Sequence, residues 1–492
     1  MTRDATHLDR GSDWSTWHVT VLGLGIAGYS CADALMQLGA RVCVVDESAG
    51  ERQQQRADIL QSLGAMVLLG HTGDLPTATE LLVVSPGPRP SHPLIREAQA
   101  RGITVWGELE LAWRLRSPES AAAWLCITGT NGKTTTTLML ESMLRAAGYR
   151  TCSAGNIGTP LVDVVMHDQM DVIAVEVGAP QLPFVETMSP VASVCLNIAD
   201  DHIDHFGGFD EYVQAKARIY ERTQEAAVYN VEDRVTRTMV QDADVVEGCR
   251  AIGFTLDIPD VGMVGVVDDL LVDRAFIDDR HDAAQELASV HDVHPLAPHN
   301  IANALAAAAL ARAFGVPAHA VRDGLRDFTP AAHRIAQVGS VGGVQFVDDS
   351  KATNAHAAQT SLAAYAPIVW IAGGMAKGQE FDELVMASAG RLRGVVLLGV
   401  DRGAIAEALA RHAPDVPVID VASTETGAMA EAVRQAHLLA RPGDTVLLAP
   451  GCASWDMFTD YTDRGRRFAE AAAALEGFQP PSHEDTKRAG EA

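Results

Sequence analysis

One stretch of the chain has the residue types and spacing for phosphate chemistry. Between the strand-like run WLCIT and the helix-like run TLMLESMLRAAG stands TGTNGKT, Thr128 to Thr134. The usual nucleotide loop is GxxxxGK[ST]; this one is a residue shorter at its front but serves the same physics. Its glycines let backbone N–H groups converge on phosphate oxygens, and the helix that follows offers its positive end to them. Gly129, Thr130, Asn131, Gly132, Lys133, Thr134 and Thr135 are the expected ATP-loop residues, with Lys133 neutralising the β- and γ-phosphates. The Thr134 hydroxyl is placed to meet Mg²⁺. A plain glycine turn before a Thr-rich helix start is the competing reading, but strand, loop and amphipathic helix together supply the context that nucleotide binding requires.

A second glycine loop lies upstream. Gly23-Leu24-Gly25-Ile26-Ala27-Gly28 matches GxGxxG, and Asp46 ends the next strand-like run. Alone it suggests NAD, with Asp46 on a ribose. The signal is weak, since any pyrophosphate at a helix N-terminus can use such a loop, and a nucleotide-diphosphate substrate explains it equally well.

The elements that must position these loops alternate between strand and helix. Strand, glycine turn, helix and strand recur from Val19, again from about Ala122, and again from GVQFVDDSKATN. Such alternation implies parallel sheets covered by helices. The fold class expected is α/β in three domains: a Rossmann-like domain over 1–117 with 1–16 as a loose extension, a central P-loop ATPase-type domain over 118–330, and a Rossmann-like C-terminal domain over 331–478. Residues 255–295 look like a small antiparallel insertion. The Pro-rich polar tail 479–492 is expected to be disordered.

Composition bounds the function. With 38 Lys and Arg against 64 Asp and Glu, the formal charge is −26. That argues against coating nucleic acid, which needs clustered cations, but not against phosphorylated small molecules. The seven cysteines, none in a CxxC pair, read as reduced residues of a cytoplasmic protein. No apolar segment approaches the ~20 residues of a membrane span, and no signal peptide is expected after Met1. A monomer is expected.

TGTNGKTTT resembles the ATP loop of the Mur ligase and folylpolyglutamate synthase superfamily, and the resemblance extends over nearly the whole chain. GNIG at 155–158, DHID at 201–204, Lys216 in YVQAKARIYE, DSKATN at 349–354 and CASWDMF at 452–458 resemble the glutamate-adding branch of the Mur ligases. The resemblance implies an ADP-forming ligase that adds glutamate, D-glutamate being expected, to UDP-N-acetylmuramoyl-L-alanine through an acyl phosphate, in peptidoglycan precursor synthesis. It implies ATP and two Mg²⁺ ions. Thr134, Glu176, His202 and Lys216, the last as a carbamate, would serve the metals, and Lys133, Glu176, His202 and Lys216 would be catalytic. Asn300, Asn303, Arg334 and Asp349 would hold ATP. Gly25, Ala27, Asp46, Ser85, Gly87 and Asn156 would hold the UDP substrate. Lys351, Thr353, Lys377, Ser454 and Tyr461 would hold glutamate.

Some positions depart from the family pattern. EVGAPQL (176–182) lacks the serines expected after Glu176, Ala297-Pro298 precede His299-Asn300, GGMAKG has Ala376 where an aspartate is usual, and His205-Phe206 replaces an expected pair beginning with Arg. These allow an altered acceptor, such as L-glutamate. Three other readings compete: a folylpolyglutamate synthase or another ligase of the superfamily, a nicotinamide dehydrogenase, which leaves TGTNGKT without a role, and a non-catalytic nucleotide sensor, which would not need Glu176 and Lys216.

Overall fold

The computed structural model describes every residue except 1–2, 118–120, 168, 200–205, 331–332, 424–426 and 482–492. The chain divides into two compact units, Met1–Ser289 with Ala302–Asp327, and Val290–Ile301 with Phe328–Ala492. Three α/β sheets are distributed over them. The second unit thus takes in Val290–Ile301, a segment that the sequence pattern grouped with the central sheet.

The first sheet consists of β1 (His18–Leu22), β2 (Arg41–Asp46), β3 (Met66–Leu69), β4 (Leu81–Val84) and β5 (Thr104–Gly107), all parallel, in the order β3-β2-β1-β4-β5. The order reverses between β1 and β4, which opens a crevice at their C-terminal ends. Every side chain of β4 is buried, as a strand covered on both faces requires.

The central sheet has nine strands: β6 (Ala123–Thr128), β7 (Thr151–Gly155), β8 (Val172–Glu176), β9 (Ala192–Cys195), β10 (Ala226–Asn230), β11 (Arg250–Phe254), β12 (Met263–Val267), β13 (Leu270–Asp273) and β14 (Gln285–Ser289). From β7 to β12 they run parallel in the order β7-β8-β6-β9-β10-β11-β12. β13 and β14 then pair antiparallel. The expected antiparallel insertion is therefore an extension of the same sheet. The helix Pro298–Ala313 buries an unbroken alanine and leucine run, residues 304–311, without exposure. No described helix is long and apolar enough to cross a membrane.

The second unit is built on β15 (Ala336–Val341), β16 (Val344–Asp348), β17 (Ile368–Ala372), β18 (Leu392–Leu397), β19 (Val418–Asp420), β20 (Thr445–Leu448) and β21 (Phe478–Gln479), ordered β19-β18-β17-β20-β16-β15-β21. Its five middle and edge strands β19 to β16 are parallel, and β15 closes the sheet antiparallel between β16 and β21. Gln479, the first residue of the tail expected over 479–492, belongs to that last strand through its pairing with Ser340, and the rest of that expectation, from residue 482, lies outside the described residues.

Over its described part, residues 3–16, the extension expected to be loose is instead packed onto the first unit. Ala5, Leu8 and Trp14 are buried in the core of the first unit. Trp14 Nε1 donates to Asp9 O at 2.9 Å, Arg114 Nη1 donates to Thr6 O at 2.6 Å, and Arg10 donates to Val165 O and Met166 O at 2.9 and 3.2 Å. These few apolar residues form no sustained helix or strand period, so no pattern reveals them, yet one indole and two guanidinium clamps suffice to tie the segment down.

Candidate functional site

Phosphate-loop geometry begins at the end of β6. Thr128 Oγ1 donates to Val177 O at 2.8 Å, and Asn131 is locked at both ends by Asn197, whose Oδ1 accepts from Asn131 N at 2.9 Å and whose Nδ2 donates to Asn131 O at 3.1 Å. Gly132, at φ +83°, is the residue before the helix Lys133–Ala146, and a Cβ there would overlap Asn303 Oδ1. Only glycine meets both the left-handed backbone and this close approach. The close approach also brings Asn303, an expected ATP contact, onto the loop.

Lys133 folds back to donate from Nζ to Gly129 O and Thr130 O at 2.8 and 2.9 Å. Thr134 is buried, and its hydroxyl donates to Glu176 Oε2 at 2.6 Å. Asn156 Nδ2 donates to Glu176 Oε1 at 2.9 Å, and Asn156 N to Glu176 O at 2.8 Å. Glu176 is only 2% exposed, so its carboxylate is compensated by charge-assisted bonds from two neighbouring elements. Lys216, 1% exposed, donates from Nζ to Gly129 O at 2.7 Å and lies 4.9 Å above the Tyr212 ring. Tyr212 OH in turn is 3.0 Å from Thr130 Oγ1. Thr135 is half-buried in the first turn of the same helix. The structure therefore gathers Gly129, Thr130, Asn131, Gly132, Lys133, Thr134, Asn156, Glu176, Lys216 and Asn303 around one loop. His202 lies outside the described residues.

Asn156, expected among the UDP contacts, donates from its side chain to Glu176. The other residues expected on the UDP side gather at the C-terminal ends of β1, β2 and β4. Gly25 precedes the helix Ile26–Gln37 and is exposed, Ala27 lies in its first turn, and Ser85 and exposed Gly87 follow β4. Asp46 accepts from Leu24 N at 2.6 Å and Ser48 N at 2.7 Å, so its carboxylate shapes the glycine loop itself. A Cβ on Gly28 would overlap Gly23 O, which is why the helix can start so close to the strand.

In the second unit, the expected glutamate residues stand at the C-terminal ends of β16, β17 and β20. Lys351 Nζ lies 4.0 Å from the centroid of the Tyr461 ring, and Lys377 Nζ lies 4.2 Å from that of exposed Trp455. A two-way backbone pairing of Met375 with Ala453, at 2.9 and 3.0 Å, joins the loop of Lys377 to that of buried Ser454. Thr353 N donates to Lys351 O at 2.8 Å. At Ala376, which departs from the family's usual aspartate, the backbone N donates to Asp401 Oδ2 at 2.8 Å. Asp349 is turned inward onto the Ser361 hydroxyl, and burial pushes its carboxyl up to about 6. Arg334 is half-buried between His333 and Ile335, both at positive φ. Asn300 is buried at the start of its helix and donates to Pro295 O at 3.0 Å.

Several contributors escaped sequence reasoning. Asn197 and Asp233 fix the segment after β9, since Asp233 Oδ2 accepts from Ile198 N at 2.7 Å. Arg464, 1% exposed, donates to Ser350 O, Ser350 Oγ and Cys452 O and so joins the DSKATN and CASWDMF segments. Only Tyr212 had a usable signal, its i, i+4 spacing from Lys216 on one helix face.

Three family models match the chain: "Mur ligase MurD-like, N-terminal domain" over 17–107, "Mur ligase middle domain" over 127–311, and "Mur ligase, glutamate ligase domain" over 333–452. Curated relatives named UDP-N-acetylmuramoylalanine–D-glutamate ligase include that of Streptomyces avermitilis, 58% identical over 94% of this chain and 99% of its own. That of Thermobifida fusca is 51% identical over 93% and 98%, and that of Mycolicibacterium smegmatis 40% over 93% and 97%. Among solved structures, the UDP-N-acetylmuramate-alanine ligase of Thermotoga maritima shares the fold at 18% identity and a TM-score of 0.54, over 92% of this chain and 98% of that one. A bifunctional folylpolyglutamate synthase/dihydrofolate synthase of Yersinia pestis does so at 19% and 0.50, over 72% and 89%. Phosphate loop, buried carboxylate and near-complete coverage agree, and the chain belongs to the Mur ligase family of ATP-dependent amide-bond-forming ligases.

Proposed function

We propose that the chain joins D-glutamate to UDP-N-acetylmuramoyl-L-alanine, releasing ADP and phosphate. The observation that carries this reading is the buried Thr134–Glu176–Asn156 arrangement at the head of the phosphate-loop helix. The relatives' shared name supports the substrate pair.

The alanine carboxylate of the substrate attacks the γ-phosphorus of ATP, ADP leaves, and an acyl phosphate results. The glutamate amine then attacks the acyl carbon, loses a proton, and phosphate departs as the amide forms. Loop amides and Lys133 neutralise the β- and γ-phosphates, once Nζ exchanges the Gly129 and Thr130 carbonyls for phosphate oxygens. Lys351, Thr353, Lys377, Ser454 and Tyr461 receive glutamate, with ammonium groups suited to its carboxylates. Gly25, Ala27, Asp46, Ser85 and Gly87 receive the UDP end in the crevice between β1 and β4. Asn300, Asn303, Arg334 and Asp349 serve ATP.

The donor set fits Mg²⁺. Thr134 and Glu176 are hard oxygen ligands, and Mg²⁺ is commonly held by one or two such groups together with phosphate oxygens and water. Bound there, the ion would neutralise charge on the phosphates. His202 and Lys216 would serve a second ion. As a carbamate, Lys216 retains one N–H for Gly129 O and gains a carboxylate for the metal. The enzyme acts as a cytoplasmic monomer, where its nucleotide substrates are found, and contributes to peptidoglycan synthesis and cell division.

Phosphate release tests the reading. With ATP, Mg²⁺ and UDP-N-acetylmuramoyl-L-alanine, D-glutamate is expected to sustain turnover, and L-glutamate or no amino acid is not. Turnover only with another nucleotide-sugar peptide would sink the substrate assignment.

A further inference from the structure

The helix Glu108–Arg114, which follows β5 of the first sheet, sends two carboxylates into the central sheet's territory, and neither is exposed beyond 1%. Burying an ionisable group without a partner is costly, so each must be hydrogen-bonded. The two are used differently.

Glu108 Oε1 accepts from Leu161 N at 2.7 Å and Val162 N at 3.4 Å, at the start of the helix Leu161–His167. Its Oε2 accepts from Gln181 Nε2 at 3.3 Å, and Gln181 Oε1 accepts from Gly178 N at 2.8 Å. Gly178 stands two residues beyond Glu176. A Cβ on Gly178 would lie 3.0 Å from Asn156 Oδ1, so only the absence of a side chain at 178 leaves room for this backbone to pass beside the side chain that donates to Glu176 Oε1. The intervening Val177 is pinned from its other side, its N–H donating to Ile127 O and its carbonyl accepting from Thr128 Oγ1, both at 2.8 Å.

We propose that Glu108 is a positioning residue for the metal-binding carboxylate: from the first sheet's domain it orients Gln181, which holds the loop carrying Glu176 against Asn156. In its ionised form, which prevails above about pH 7, the Glu108 carboxylate can only accept, so Gln181 must turn its NH₂ to Glu108 and its oxygen to Gly178 N. The amide then has one orientation, and the loop has one place. With a side chain at 108 that can also donate, the amide loses that constraint, Gly178 is released, and the backbone between Glu176 and Gly178 can shift relative to Asn156.

Glu110 provides the contrast. Its Oε2 accepts from Glu186 N at 2.8 Å and Thr187 N at 2.9 Å, and its Oε1 accepts from Arg114 Nε at 2.6 Å. It joins the same two sheets equally firmly, but away from Glu176. A purely structural joint would make the two carboxylates equivalent. A positioning role makes only Glu108 matter to the metal.

The inference rests on the proposed function, and the test separates the two. Phosphate release is measured in the full-length enzyme at about pH 8.5, where Glu108 is ionised, against Mg²⁺ concentration for the parent, Glu108→Gln, Glu110→Gln and Gln181→Leu, with substrates saturating. Glu108→Gln and Gln181→Leu are expected to raise the Mg²⁺ concentration for half-maximal rate by five-fold or more. Neither is expected to change the KM for glutamate, and Glu110→Gln is expected to leave the Mg²⁺ dependence within two-fold of the parent. If Glu108→Gln is not recovered folded, Gln181→Leu makes the same test. A Mg²⁺ dependence unchanged in Gln181→Leu, or shifted equally by Glu110→Gln, would overturn the positioning role. A parent without Mg²⁺-dependent phosphate release would instead overturn the proposed function.

Discussion

Exchanging Thr134 for Val keeps the shape of the side chain and removes one hydroxyl. That hydroxyl donates to Glu176 Oε2 at 2.6 Å, and both residues are buried, at 7% and 2% exposure. Water therefore cannot replace the lost donor, and Asn156 remains the other side chain bonded to the carboxylate. A hydrogen bond to a charged group contributes about 1.5–3 kcal/mol, and roughly 1.4 kcal/mol is a factor of ten in binding. If the hydroxyl also meets the metal, its loss weakens the apparent affinity for Mg²⁺ by about ten- to a hundred-fold. Thr134→Ser restores the oxygen and is expected to return within a few-fold of the parent. The assay is phosphate release across a Mg²⁺ titration, with a denaturation curve for each variant to separate folding from metal binding. A Val variant whose Mg²⁺ midpoint stays within two-fold of the parent would refute the reasoning, as would a Ser variant no better than Val.

Four further outcomes are expected. Lys133→Ala abolishes turnover by removing charge neutralisation at the γ-phosphate; activity within a few-fold of the parent would contradict that role. Gly132→Ala puts a side chain at φ +83° and onto Asn303, costing about 1–2 kcal/mol for the backbone alone, and is expected to weaken ATP binding measured by calorimetry at least ten-fold. Trp14→Ala removes a buried indole and is expected to destabilise by about 3–5 kcal/mol in urea titration, whereas a loose extension would show almost no change. Burial raises the Glu108 carboxyl from 4.5 to about 7, so the stability linked to its protonated form is full below pH 4.5 and lost as pH rises through 7. The Gln variant lacks this slope, so the parent's urea midpoint should fall relative to that of Glu108→Gln between about pH 5 and 8; a constant gap would argue against the shift.

The two glycine loops, their flanking strands and helices, and the three α/β sheets were legible in the amino-acid order, because phosphate binding and parallel pairing are imposed by local rules. TGTNGKT needs glycine where the backbone turns left-handed, and strands covered on both faces need continuous apolar runs such as LLVV in β4. DSKATN and CASWDMF were legible as a resemblance, and the two segments meet through Arg464. What stayed hidden lacks any period. Ala5, Leu8 and Trp14 are isolated apolar residues in a polar stretch, and only the completed core reveals the pocket they fill.

The order of residues by itself determined which groups are available for chemistry: a loop for a triphosphate, a carboxylate at the end of β8, and lysines on the following elements. Tertiary structure alone decided which of them meet. Asn156 and Thr134 converge on Glu176 from positions 20 and 42 residues away, Asn197 locks Asn131 across 66, and Glu108 reaches Gln181 across 73. The reason is electrostatic: a buried carboxylate or unpaired amide is satisfied by whichever partner the packed sheets bring within hydrogen-bonding distance, and sequence spacing does not encode that distance.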